Sequence, residues 1–314
     1  MELGVTPWDF SDRSARSLSA QAQRAEALGY ESFWLPENHF NAGAIPDPLM
    51  LLAAVAAATS RIRLATTSYL LPLRHPLQAA EQVAVLDQLC GGRVILGIGR
   101  GYAPTMLKAF SVDPKKKRHL FESALATMCQ AWRGEPVSVG EGEDAENIVL
   151  DPLPIQQPHP PLWVAAFGPK ALAQAGRLGY PYLASPVETL LTLTDNYARH
   201  TQAAEDAGGS RVETVPVMRT VFVAENRRLG ESVRERVQSL ARQTPTVARQ
   251  HGSDEGSVDD WCIIGDAAYV GDRIAEYRER LQVTHLIVTR LRINDLEPAA
   301  VQHSLEQVPE LVGR

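Results

Sequence analysis

Strand and helix signals alternate along this chain, and that alternation constrains the fold more than any other feature. Short apolar runs at 3–5, 32–35, 62–68, 94–96, 162–165, 182–184, 215–224 and 285–289 read as strands. Helical patterns fill the gaps at 14–28, 48–58, 76–89, 118–132, 170–178, a segment through 207, and 228–247. Val270, Ile274, Tyr277 and Leu281 mark another helix, and a last one closes the chain. In the first helix Leu18, Ala22, Ala25 and Leu28 share one stripe and Gly29 stops it; Pro48 sits at a helix start, where its missing N–H is harmless. Eight strands, each followed by a helix, in 314 residues predict an α/β (β/α)8 TIM barrel forming a single domain over 1–314. A doubly wound sheet is the competing arrangement. Residues 134–160 are Gly-rich and acidic, then Pro-rich, and read as an irregular insertion; 251–262 reads as a mobile loop.

Composition removes several function classes. The net charge of −6 and the lack of a Lys/Arg stripe argue against a nucleic-acid partner. The run Lys115-Lys116-Lys117-Arg118 reads as a solvated loop face. Cys90, Cys129 and Cys262 are too scattered for a disulfide framework or a thiolate metal site, which implies a reduced, cytoplasmic setting. The N-terminal residues show no basic segment followed by an apolar one, so no signal peptide is expected. The longest apolar run, 49–58, is too short to span a bilayer, so no membrane partner is expected.

A barrel of this kind places its chemistry just past the C-terminal ends of the strands. Those positions hold Glu37-Asn38-His39, the stretch from Thr66-Thr67-Ser68 to His75, Gly99-Arg100-Gly101, Phe167-Gly168, Ser185 and Arg290. In the stretch from Leu89 to Gly101 a helix stops at a Gly pair and a short strand opens into a glycine turn carrying Arg100. Such a turn lets backbone N–H groups and a guanidinium approach phosphate oxygens, although glycine turns are also common connectors. Glu37, His39 and His75 offer three zinc ligands, but without the short-range His pairs that would support them, so no metal is expected. The Gly-x-Ser-x-Gly elbow of a serine hydrolase is missing. Gly97-Ile98-Gly99 fails as a dinucleotide fingerprint: Pro104 interrupts the required helix, and no acidic residue ends the next predicted strand.

These segments, taken together and in order, resemble the bacterial luciferase-like flavin-dependent monooxygenases. Glu26-Ala27-Leu28-Gly29-Tyr30 leading to Trp34-Leu35-Pro36-Glu37-Asn38-His39-Phe40 is similar to the family's "LGY…W…EHHF" segment. Asp87-Gln88-Leu89 through Gly91-Gly92-Arg93 to Gly97-Ile98-Gly99-Arg100-Gly101 is similar to its "LDQLSGGR…G.GRG" motif. Thr66-Thr67 to His75-Pro76, the approach Pro154 to Ala165, and the turn Ile264-Gly265-Asp266 also match.

The resemblance implies a TIM barrel with an insertion, usually dimeric, using reduced FMN or, in some branches, the deazaflavin F420. By position, Arg100 and Arg118 would hold the flavin phosphate, and Gly168 would bring a backbone N–H to it at a helix start. Thr67, Ser68 and Gly99 would lie along the flavin, with a non-proline cis peptide at Thr67-Ser68. Glu37, Asn38 and His39 would form the catalytic segment, His39 serving as base or donor. Two departures stand out. Asn38 replaces a histidine and cannot exchange a proton near neutral pH, and Gly99 replaces a reactive cysteine, so light emission is not expected. The implied reaction inserts one atom of O2 into a small organic substrate, with reduced flavin supplied by a separate reductase. The alternatives are an F420-dependent hydride-transfer enzyme and a flavin-binding protein without catalysis. Residues 41–45, 102–112 and 251–262 would shape the substrate pocket.

Overall fold

The computed structural model describes residues 1–140, 142–242, 257–291, 293 and 296–313. Strand β1 (Glu2–Val5) leads to helix α1 (Ala15–Ala27), β2 (Ser32–Leu35) and α2 (Pro48–Ala58). The Asp47 carboxylate starts α2 by accepting the N–H of Leu49 at 3.1 Å and of Met50 at 3.2 Å. Next come β3 (Arg63–Thr66), the short β4 (Tyr69–Leu70), α3 (Pro76–Leu89), β5 (Val94–Gly99), α4 (Pro104–Ala109) and α5 (Lys117–Trp132). A hairpin of β6 (Val137–Val139) and β7 (Glu146–Ile148) precedes β8 (Leu162–Ala165). The chain continues through α6 (Pro169–Arg177), β9 (Tyr182–Leu183), α7 (Leu190–Asp206), β10 (Pro216–Val223) and α8 (Arg227–Arg242). It ends with β11 (Cys262–Gly265), α9 (Ala267–Leu281), β12 (His285–Thr289) and α10 (Pro298–Val312).

Two compact units are distinguished. The first comprises 1–11, 24–33 and 166–314; the second comprises 12–23 and 34–165. In the first unit β10 pairs in parallel with β11 and β12, and β12 pairs in parallel with β1 (Val5 opposite Val288). In the second unit β5 pairs in parallel with β3, β4 and β8. Parallel strands covered on both faces read as continuous apolar runs, and all eight residues of β10 and all six of β5 are buried. The one charge in β10, Arg219, donates to the Tyr277 hydroxyl at 2.8 Å and to the carbonyls of Met218 at 2.7 Å and Glu188 at 2.8 Å. No helix among the described residues is long and apolar enough to cross a membrane.

The parallel α/β class is the one the alternation predicts, with three local corrections. Pro104 begins a helix rather than interrupting one, because it occupies the first helical position. The 134–160 excursion contains the β6–β7 hairpin and cis peptides at Asp151-Pro152 and Gln157-Pro158. The expected loop at 251–262 is in part a strand: Cys262 begins β11, buried at every position, and Val258–Asp260 forms a short 3-10 turn before it. Residues 251–256 of that expectation lie outside the described residues, as does the end of the helix expected to run to 247.

Candidate active site

In the second unit one buried carboxylate, Glu37, holds the candidate His39. Past the end of β2, Glu37 turns inward until its side chain has no exposure. A lone buried carboxylate is strongly disfavoured, so its partners decide whether it can stay ionised. Oε2 accepts the N–H of Leu70 at 3.0 Å. Oε1 accepts from Arg74 Nη1 at 2.8 Å and lies 2.8 Å from His39 Nε2. The Arg74 guanidinium also donates to the Leu70 carbonyl at 3.0 Å and stacks over the Tyr69 ring, 3.9 Å from its centroid. Burial pushes the Tyr69 phenol well above its ordinary range.

An ionised carboxylate only accepts hydrogen bonds, so the Glu37 contact places the His39 proton on Nε2. Nδ1 is then the nitrogen left to accept or receive a proton. The imidazole sits edge-on to Phe110, 4.8 Å between centroids, and 5.7 Å from Phe40. Asn38 is engaged differently from its neighbours. Its side-chain oxygen accepts the Ile45 N–H at 2.9 Å and its backbone N–H donates to the Ile45 carbonyl at 3.0 Å, closing the 38–45 loop. His75 is exposed at the start of α3 with no side-chain cap bond. No group of three or more His, Cys, Asp or Glu side chains able to hold a metal occurs among the described residues.

The Thr67-Ser68 peptide is cis. Thr66 donates its hydroxyl to the Gly97 carbonyl at 2.8 Å, and the Thr67 N–H donates to Leu35 at 2.8 Å, tying this turn to β5 and β2. Gly99 is explained by packing: a Cβ there would stand 2.2 Å from the Ser68 hydroxyl oxygen. Any side chain, cysteine included, collides with Ser68 in this arrangement.

Beyond Gly99, Arg100 lies close enough to Arg118 and to Lys117 for their charges to act on one another. Arg100 is half-buried; burial first, and then the Arg118 charge, pull its guanidinium below its ordinary pKa, with Glu122 opposing. Lys117 is lowered by burial and then by Arg100, and it donates to the Gly101 carbonyl at 3.1 Å. Gly101 supplies that carbonyl from a left-handed turn at φ 69°. Lys117 and Arg118 occupy the first turn of α5, the helix end where a cation is disfavoured. Arg100, with Lys117 and Arg118 beside it at the start of α5 and Glu122 also near it, makes a basic cluster of a kind that suits a di-anionic phosphate. Lys117 escapes a reading that takes 115–118 as one solvated run; its register on α5 separates it from its neighbours.

Gly168 belongs to the first unit. It caps α6 at φ 80°, its carbonyl accepts Ala171 and Leu172 N–H at 3.0 and 3.2 Å, and the space where its Cβ would stand is open.

The Asp87-to-Arg93 part of the motif is scaffold. Asp87, fully buried, accepts the backbone N–H of Gln156 at 2.9 Å and its side-chain amide at 2.8 Å. Arg93 reaches back to α2, donating to the carbonyls of Ala56 and Thr59 at 3.1 Å each and of Ile62 at 2.8 Å. It thereby satisfies carbonyls that the helix end leaves unpaired.

Residues 3–284 match the luciferase-like monooxygenase family, and the chain belongs to it. An uncharacterised protein, y4wF, of Sinorhizobium fredii is 34% identical over 216 residues, 66% of this chain and 63% of that protein. Limonene 1,2-monooxygenase of Rhodococcus erythropolis is 30% identical over 219 residues, 67% of this chain and 56% of the enzyme. The chain thus spans less than two thirds of these relatives' lengths. Among solved structures, the oxygenating constituent of the 3,6-diketocamphane monooxygenase of Pseudomonas putida, in complex with FMN, superposes with a TM-score of 0.83 at 22% identity, covering 99% of this chain and 97% of that one. The F420-dependent tetrahydromethanopterin reductase of Methanopyrus kandleri superposes at 0.74 and 20% identity, covering 98% and 96%.

Proposed function

We propose that this chain is an FMN-dependent monooxygenase that uses reduced FMN and O2 to oxygenate a small organic substrate. The observation that carries the reading is the Gly101 turn, whose carbonyl accepts from Lys117 at 3.1 Å, with Arg100 close enough to Lys117 and Arg118 for their charges to act on one another. The cations would bind the FMN phosphate, and the N-terminus of α6 at Gly168 would offer further N–H donors. FMN, when bound, supplies the redox chemistry with O2; the protein orients the substrate and excludes water. Glu37 holds His39 with Nδ1 available, so His39 would move a proton at that atom while Asn38 fixes the loop that carries it.

The reading extends to one eight-stranded barrel domain over 1–314 acting as a cytoplasmic homodimer. A separate NAD(P)H:FMN reductase would supply the flavin. A structural neighbour described as an oxygenating constituent supports that division of labour. The second reading is F420-dependent hydride transfer on the same fold, favoured by the tetrahydromethanopterin reductase neighbour.

Titration with FMN and with F420, each oxidised and reduced, followed by absorbance and by oxygen uptake, tests these readings. Selective binding of FMN with oxygen consumption linked to product formation is the expected result. Preference for F420 overturns the first reading. Oxygen uptake by bound reduced FMN with no substrate oxidised, across a panel of small ketones and alkenes, favours a non-catalytic flavin binder.

A further inference from the structure

The first unit holds a cavity that the flavin reading does not use. It lies between the β1–β12–β10 ladder and α10 and has a volume of about 420 Å³, within the range of small-molecule sites. Val5, Phe222, Val288, Val301 and Leu305 supply much of its wall, and Trp8 also lines it.

The polar groups around this cavity are engaged with the protein. The Tyr30 hydroxyl donates to the Leu305 carbonyl at 3.1 Å, and the Ser304 hydroxyl oxygen accepts the Val223 N–H at 2.9 Å. Thr289 and Thr220 pair their hydroxyls at 3.1 Å, and the Thr6 hydroxyl accepts the Arg290 N–H at 3.3 Å. Among the described residues, one acid, Asp9, and one base, Arg290, line the space. Asp9 accepts from the backbone and hydroxyl of Ser11, and the Arg290 guanidinium lies 4.0 Å over the Phe10 ring.

We propose that this cavity binds an uncharged, mainly hydrocarbon molecule of about the size of a substituted benzene or a monoterpene, independently of the flavin. Bromobenzene is a suitable probe, because its heavy atom quenches a tryptophan it touches. Wild-type protein should show saturable quenching with one site, and Trp8→Phe should lose that quenching while binding persists by calorimetry. Val301→Phe, which fills the cavity from α10, should weaken calorimetric binding at least tenfold. Val301→Met, a smaller filling, serves where the phenylalanine variant does not fold. Quenching that never saturates in the wild type, or equal binding in a folded cavity-filling variant, overturns the proposal. FMN titrations on the same proteins keep the two readings apart: loss of FMN binding with bromobenzene binding intact counts against the flavin reading alone.

Discussion

Ser68 and Gly99 occupy one another's space: the Ser68 hydroxyl oxygen lies 2.2 Å from where a Cβ on residue 99 would stand. Gly99→Ala should therefore destabilise the fold by about 1–3 kcal/mol through overpacking. Removing the obstacle in Ser68→Gly/Gly99→Ala should recover part of that loss, since contacting residues couple. Denaturant unfolding of the two single variants and the double variant measures the coupling; strict additivity would show that the two side chains do not compete.

Arg100→Ala should remove a charge-assisted hydrogen bond to phosphate worth about 1.5–3 kcal/mol. FMN affinity should fall roughly 10- to 150-fold. Riboflavin, which lacks the phosphate, should bind the variant and the wild type alike. Lys117→Ala should follow the same pattern. Equal losses for both flavins would remove the phosphate assignment.

His39→Gln preserves polarity but not titration. If His39 moves the proton, turnover should fall by about 10²–10⁴-fold with FMN binding unchanged. An unaltered rate and pH profile would leave His39 as a spacer between Glu37 and Phe110.

His200, buried on α7, makes stability pH-dependent. Burial lowers its pKa, and its Nε2 lies 2.9 Å from the Tyr180 carbonyl. The folded chain therefore holds it neutral at pH values where the unfolded chain protonates it. Its contribution is present above about pH 6.5 and is lost as pH falls from there through the lowered folded value, at up to about 1.4 kcal/mol per pH unit. Urea unfolding across that window should show the slope, and His200→Asn should flatten it. A slope unchanged in the variant would assign the effect elsewhere.

Much of this architecture is written in local patterns, because long apolar runs and stop signals act within a few residues. The helices around Leu18, Ala22 and Ala25, and the strand Val94–Gly99, are of this kind. Strand β11 is harder to see: Cys262–Gly265 is four residues long and follows a polar stretch, and its strand state depends on pairing with β10. The site divides the same way. The arginine between glycines at 99–101 stands out in the sequence, but Lys117 comes to it only through the register of α5. Asn38 looks like a substituted catalytic group, and its bonds to Ile45 depend on a loop closure seven residues wide. Gly99 reads as a missing cysteine until Ser68 is placed beside it.

The Glu37 carboxylate has a consequence for how such a protein can diversify. It fastens the turn at Leu70, the side chain of Arg74 and the imidazole of His39. Three attachments on a single residue make this centre intolerant of change at one position and permissive around it. Residues 41–44 can vary in shape and size while the Asn38–Ile45 closure holds the loop ends and Glu37 holds the imidazole. Loop surface can then be exchanged with the Glu37–His39 contact inherited unaltered.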